Sequence, residues 1–485
     1  MGMKSNPLHR AYDPESFRKQ GHQLIDLLAD HLGSVVAGQG EVLHYRLPED
    51  EYAFWTKYLN DPLAPPLAET VLEHTTQVHH PRYLGHQVAP PIPLASLAAL
   101  LGASLNNGMA VYEMGMGPSA MERIVTDWLC RQAGFGPGAR GFLTGGGTLA
   151  NLTGLLAARR ARGKGDVWKK GYSGRQAVFV SEAAHYCVDR AARIMGMGEA
   201  GVIKVPVDAG YRMDATQLPI LYEQALERGL EPLAVVGSAP CTATGSYDPL
   251  DQLADFCQEK NLWLHIDGAH GGAAFLSDRY ASLVKGVERA DSVVIDGHKM
   301  LGMPVLTTAL LFRNGADSYT TFSQEAEYLL TETEDEDWYN LAKRTFECTK
   351  LTSSLTWYVV LKAYGEGIFA EYIDRQYDLG RQFASLIRNR PGWELACEPQ
   401  SNILCFRIRP EGWDTEACNL LNMQIRQQLL EEGRFYIVQT RLNGILYLRT
   451  SLMSPFTEER HLAELLEEIE ELAEGGPPPS HPNPK

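Results

Sequence analysis

The chain has 485 residues, 44% hydrophobic and 21% charged, which predicts a soluble globular protein with more than one core and excludes a fibrous or disordered one. Its formal net charge of −16 comes without any basic block, which argues against nucleic acid and anionic membrane surfaces as partners. The acidic residues are spread along the chain and therefore do not select a cationic substrate.

No apolar run approaches the roughly 18 residues that a membrane span needs. The opening Met1-Gly2-Met3-Lys4-Ser5-Asn6 carries no hydrophobic secretory core. The eight cysteines, at 130, 187, 241, 257, 348, 397, 405 and 418, show neither metal-type pairs nor a disulfide framework. A cytoplasmic location is expected.

Along the chain, residues 13–37 read as an amphipathic helix, with Phe17, Leu24, Ile25, Leu27, Leu28 and Leu32 at helical spacing. Asp13-Pro14-Glu15 supplies a cap and a first-turn proline. The connector Asp61-Pro62-Leu63-Ala64-Pro65-Pro66 leads to a second helical piece near 67–78. These pieces form an N-terminal arm, residues 1–93, whose apolar stripe has no core of its own and is expected to dimerise.

From 94 to 380, helices alternate with short β-rich runs at 177–181, 201–205, 233–237, 262–267, 292–295 and 307–311. That rhythm predicts an α/β domain with a mostly parallel sheet under helices on both faces. After residue 380 the strands at 402–408, 435–439 and 445–451 alternate, with a helix at 457–473. This predicts a small α+β domain over 381–474. The tail 475–485, rich in glycine and proline, is expected to be disordered.

Four features carry chemistry. Thr144-Gly145-Gly146-Gly147-Thr148 is a glycine-rich turn entering a helix, where free amides and the positive helix end suit a phosphate dianion. Taken alone it is equally just a turn, and it fits neither the dinucleotide fingerprint nor the P-loop. His185 follows a strand-like run, so its ring could stack on a flat cofactor or be an ordinary, partly buried histidine. Asp267 ends the run His265-Ile266-Asp267, and Lys299 follows the run 291–295 in Asp296-Gly297-His298-Lys299. A lysine amine can form an imine with an aldehyde cofactor. A carboxylate at a strand end can keep a pyridinium nitrogen protonated, so that the ring accepts electrons. Together they are the minimum equipment for pyridoxal phosphate. His265, His270 and His298 lack the helix context and ligand density of a zinc site, and no metal is expected.

The motifs His80-Pro81-Arg82-Tyr83, Tyr112-Glu113, Gly145-Gly146-Gly147-Thr148, His185, His265-Ile266-Asp267-Gly268-Ala269 and His298-Lys299 occur in a telling order. Over roughly residues 15–470 the chain resembles the group II pyridoxal-phosphate-dependent amino acid decarboxylases. These include the aromatic amino acid, glutamate, cysteine sulfinate and diaminobutyrate enzymes. The resemblance implies the aspartate-aminotransferase fold (fold type I), an obligate homodimer with sites at the subunit interface, and release of CO2 from an L-amino acid. By the same resemblance Lys299 is the imine lysine, Asp267 the pyridinium partner and His185 the stacking ring. Gly146, Gly147 and Thr148 cradle the phosphate, while Thr242 and His298 line the cofactor. Tyr328 is the catalytic tyrosine of a mobile loop, which the acidic stretch 331–337 suits. His86 and Arg449 are expected to meet substrate, although Arg449 is equally readable as a structural ion-pair residue.

Two departures stand out. Asp296-Gly297 replaces the Asn-Pro frequent in relatives, and an ionised Asp296 cannot donate to a phosphate. Leu84-Gly85-His86-Gln87 is more polar than the matching segment of aromatic-type relatives. Transamination or oxidative decarboxylation to an aldehyde on the same fold, and a non-catalytic binding protein, are the alternative readings.

Overall fold

The computed structural model describes residues 7–172, 174–322 and 338–474. Tyr328 and the acidic stretch 331–337 lie outside the described residues, as does the tail 475–485.

Seven strands form the large sheet: β1 (Arg140–Thr144), β2 (Gln176–Ser181), β3 (Val202–Val205), β4 (Glu231–Ser238), β5 (Trp263–Asp267), β6 (Ser292–Asp296) and β7 (Thr308–Phe312). Their order is β1-β7-β6-β5-β4-β2-β3. β7 runs antiparallel to both neighbours, and the pairs from β6 to β3 are parallel. The sheet is therefore mostly parallel, as the alternation of strands and helices requires.

Uninterrupted apolar runs form these strands because both faces are covered. Phe179, Val235, Leu264 and Ile295 pack into one cluster with Trp128, Leu253 and Trp357 from helices on one side. Val178, Val236, Val294 and Leu310 pack into a second with Ala150, Leu155 and Val188 from helices on the other. Successive residues of one strand point to opposite clusters, the period-two alternation of a sheet.

The smaller sheet, β8 (Trp393–Leu395), β9 (Ile403–Ile408), β10 (Val438–Leu442) and β11 (Ile445–Ser451), is antiparallel in the order β10-β11-β9-β8. Leu404, Phe406 and Leu448 pack against Phe383, Ile425 and Leu466 of its covering helices.

At the N-terminus, the helix Pro14–Val36 starts as expected: Asp13 accepts from the Ser16 amide and proline fills the first turn. Several expectations shift. The helix expected at 67–78 ends at Glu73, and the Gln77 side chain instead donates to the Leu72 carbonyl. The strand expected at 435–439 begins at Val438. Before it, Tyr436 exchanges backbone hydrogen bonds with Arg82 and Leu84, docking the segment after His80-Pro81 onto the small sheet. The short strands β1 and β8 and the helix Pro48–Asn60 add to the elements read from the sequence.

This architecture matters for chemistry because the motif residues follow the carboxyl ends of neighbouring strands. The glycine turn follows β1, His185 follows β2, Pro240–Thr242 follows β4, Asp267 ends β5 and Asp296 ends β6. Open α/β sheets bind ligands at such ends.

Candidate active site

Gly146 has φ +109°, a conformation that L side chains rarely adopt, so the chain can turn tightly from β1 into the helix Gly147–Arg162. The first amides of that helix have no intrahelical acceptor, and the helix dipole places partial positive charge there. The Gly145 amide donates to Glu347 Oε1 at 3.0 Å.

Under this turn the sheet and helix are locked together. Asn151, one turn into the helix, donates to the Gly147 carbonyl, and its Oδ1 lies 2.8 Å from His265 Nε2. His265 Nδ1 lies 2.7 Å from Ser292 Oγ, which also accepts from Trp263 Nε1. Burial pushes the His265 pKa down to about 3, so the ring is a neutral structural bridge. Nothing in the local sequence around His265 signals this network.

Two residues beyond His265, the Asp267 carboxylate is buried and has no ion pair among the described residues. Its polar contacts are the Ala269 amide at 3.3 Å and Cys187 Sγ at 4.0 Å. A buried carboxylate so thinly satisfied has acceptor capacity left for a ligand. His185 caps the helix Tyr186–Ile194, its Nδ1 accepting from the Cys187 amide at 3.3 Å. Burial lowers the His185 pKa; the Asp267 charge opposes this and the Lys299 charge adds to it.

Lys299 Nζ lies 2.9 Å from Asp296 Oδ2. Burial alone would lower its pKa, but the charge and hydrogen bond of Asp296, with the charge of Asp267, leave it raised. His298 Nδ1 lies 3.1 Å from the Thr307 carbonyl, which fixes the ring on the loop before β7.

Gly146, Gly147, Thr148, His185, Thr242, Asp267, His298 and Lys299 line one cavity of about 350 Å³, within the range of small-molecule sites. Cys187, His270, Asp296 and Leu306 line it too. Neither His86 nor Arg449 is among the lining residues. His86 is exposed, with its ring 5.7 Å from that of Tyr436. Arg449 lies behind the lining: its guanidinium donates to the Thr242 carbonyl at 2.6 Å and the Ala243 carbonyl at 3.0 Å. Its partners are therefore backbone carbonyls of the turn that carries Thr242.

A family profile described as pyridoxal-dependent decarboxylase conserved domain matches residues 66–409. The chain belongs to this family. Among its relatives, an L-2,4-diaminobutyrate decarboxylase of Acinetobacter baumannii is 30% identical over 83% of this chain and 82% of the relative. An aromatic-L-amino-acid decarboxylase of Bacillus atrophaeus is 27% identical over 95% and 96%. The crystal structure of mouse CSAD superposes with a TM-score of 0.87 at 25% identity, covering 95% of this chain and 99% of that one. This decarboxylase thus has the fold expected from its sequence. It is a pyridoxal phosphate-dependent enzyme acting on amino acids. No helix among the described residues is long and apolar enough to cross a membrane.

The residues present fit that cofactor. The cavity lining offers helix-terminal amides for a phosphate, a carboxylate with no cation partner among the described residues for a ring nitrogen, and an amine for an aldehyde. One feature runs against the fit: a methyl group built on Gly147 would lie 3.1 Å from both Asp296 carboxylate oxygens, so a negative charge borders the cradle.

Proposed function

We propose that the chain decarboxylates an L-amino acid to the corresponding amine, with Lys299, Asp267, His185 and Tyr328 as its catalytic residues. One observation supports this above the others: a carboxylate with no cation partner among the described residues, a half-buried amine and a helix N-terminus share one small cavity. Bound pyridoxal phosphate supplies the electron sink for the bond pair that departing CO2 leaves behind. Lys299 holds the cofactor covalently through its amine. Asp267 keeps a proton on the ring nitrogen, as only an anionic partner can do well. His185, favoured as neutral by burial, offers a flat face for stacking and a polar edge for the substrate carboxylate. The amides of Gly146, Gly147 and Thr148 bind the phosphate, with Thr242 and His298 beside the ring. Tyr328 gives its proton to the substrate α-carbon, an assignment that rests on its motif. His86 and Arg449 act on the substrate side, Arg449 through the Thr242 turn that it holds.

We further propose a cytoplasmic homodimer built from an arm (1–93), a cofactor domain (94–380), a small domain (381–474) and a tail (475–485). Free thiols at all eight cysteines suit a reducing compartment.

The deciding experiment is Lys299→Ala. The wild-type protein is expected to purify yellow, to bleach with borohydride and to release CO2 from one member of an L-amino acid panel. The variant is expected to keep its fold and lose both covalent cofactor and turnover. Full activity in Lys299→Ala would overturn the assignment.

A further inference from the structure

Asp296, the last residue of β6, stands between Lys299 and the glycine turn that line the same cavity. Its side chain is 3% exposed. Oδ1 accepts from Thr308 Oγ1 at 2.6 Å, and Thr308 is its register partner on β7, so the carboxylate is held from the sheet. Oδ2 faces Lys299 Nζ at 2.9 Å and His298 Nε2 at 3.6 Å. On its other side is Gly147, where the absence of a Cβ lets the carboxylate approach the first helical residue.

The charges around this carboxylate come from several elements. His298 and Lys299 are on its own turn, His185 and Cys187 come from the segment after β2, and Asp267 and His270 come from β5 and its following turn. Glu347 reaches the cradle at the Gly145 amide. Lys299 is therefore the cation that compensates Asp296, because the neighbouring histidines are shifted toward neutrality or lie farther away. An anion entering the cradle would meet this carboxylate across a short, poorly screened distance.

We propose that Asp296 is a positioning residue that holds the Lys299 amine as an ammonium whenever it is not bonded to cofactor, and that its charge opposes the phosphate in the glycine cradle. The inference rests on reading Lys299 as the cofactor lysine. Asp296 gives the amine a fixed place to return to, and the same charge loosens the grip on the phosphate. The cradle tolerates it only while Lys299 supplies a positive charge.

Full-length protein freed of cofactor tests this with inorganic phosphate as the probe, by titration calorimetry at constant pH and ionic strength. Asp296→Asn is expected to bind phosphate about tenfold more tightly or better, since one opposing charge is removed. Lys299→Ala is expected to bind it more weakly than wild type, and adding Asp296→Asn to Lys299→Ala is expected to restore binding. The second readout is the rate at which an amine-specific reagent labels Lys299 at pH 8, followed by peptide mass. That rate should rise about tenfold in Asp296→Asn for each unit by which the amine pKa falls. Asp296→Ser, equally uncharged, serves if the asparagine variant does not fold. A carboxylate that only braces the fold would lower melting temperature without moving either readout. Equal phosphate affinity in Lys299→Ala and the double variant, or an unchanged labelling rate, would overturn the proposal. Neither measurement uses substrate, so both can fail while decarboxylation stands, and the reverse.

Discussion

His265 Nε2 lies 2.8 Å from Asn151 Oδ1, and this contact joins the strand that ends in Asp267 to the helix that begins at the glycine turn. The two ends of the cavity are thus set by one buried bridge. Replacing Asn151 by leucine leaves His265 Nε2 without its partner and removes the side-chain donor to the Gly147 carbonyl. An unmade buried hydrogen bond costs about 1–3 kcal/mol. Asn151→Leu is expected to melt several degrees lower and to release cofactor faster on dialysis. A melting temperature and release rate equal to wild type would remove the bridge from the account.

Much of the fold could be read from runs such as Val178-Phe179-Val180 and Val293-Val294-Ile295, because strands buried on both faces are apolar throughout. β1 escaped notice because it opens on Arg140 and Gly141 and offers only Phe142 and Leu143 as signal. The reversed direction of β7 was equally hidden, since strand direction is decided by pairing and not by composition. Lys299 and Asp267 were legible because each follows an apolar run with a reactive side chain at the strand end. The Asn151–His265 bridge was not: its partners are 114 residues apart and neither has a local motif. In the sequence Asp296 shows only as a departure from relatives, because its place between Lys299 and Gly147 is set by the pairing of β6 with β7 and by the helix packed beside it. Arg449 illustrates the same limit, since its acceptors are two backbone carbonyls that no side-chain pattern encodes.

Acid should destabilise the protein through its buried histidines. Burial holds His265 and His270 at about 3, while in the unfolded chain each titrates near 6.5. Between these values the unfolded state binds the extra protons, so stability is full above about pH 6.5 and is lost as pH falls. Asp248 works the other way, because burial raises it to about 6 and the folded state binds its proton first. With His80, which burial and the Arg82 charge hold at about 4, three histidines stand against one aspartate and leave about two net protons, or ~2.7 kcal/mol per pH unit between about pH 6 and 4.5. Urea unfolding at pH 6.0, 5.5 and 5.0 checks the slope. His265→Gln is expected to flatten it, and a wild-type stability that rises on acidification would contradict the sign.

Asp267→Asn isolates the role of charge at the ring nitrogen. The amide keeps the shape but cannot hold a proton there as a carboxylate does. Turnover is expected to fall by about a hundredfold or more while covalent attachment through Lys299 persists. Near wild-type turnover with full cofactor occupancy would show that the carboxylate is structural.

Tyr328→Phe removes one hydroxyl. A tyrosine with a pKa near 10 carries its proton at neutral pH and can act as an acid, and a positioned general acid contributes about 10²–10⁴-fold. The variant is expected to release CO2 yet yield less amine, with aldehyde appearing under air. Unchanged amine yield at unchanged rate would take Tyr328 out of the mechanism.

The proposed homodimer would cover the arm's apolar residues. On the helix Pro14–Val36 only Val35 is buried, while Phe17, Leu24, Ile25 and Leu28 are exposed. The helix Pro93–Leu105 likewise exposes Leu97, Leu100, Leu101 and Leu105. Between the arm and the body lies an apolar cavity of about 640 Å³ bordered by Leu32, Val36, Ile92 and Phe456. Soluble monomers rarely leave contiguous apolar surface of this kind uncovered. Leu306, which lines the active-site cavity, is also exposed, so an interface reaching it would close the site from solvent. Sedimentation is expected to show a dimer at working concentration, and Leu24→Glu with Leu28→Glu to shift it toward monomer with loss of turnover. These charges sit on the exposed face of the helix, so the monomer's own core is spared and its circular dichroism should match wild type. A wild-type monomer that is fully active would leave the arm's apolar face without this explanation.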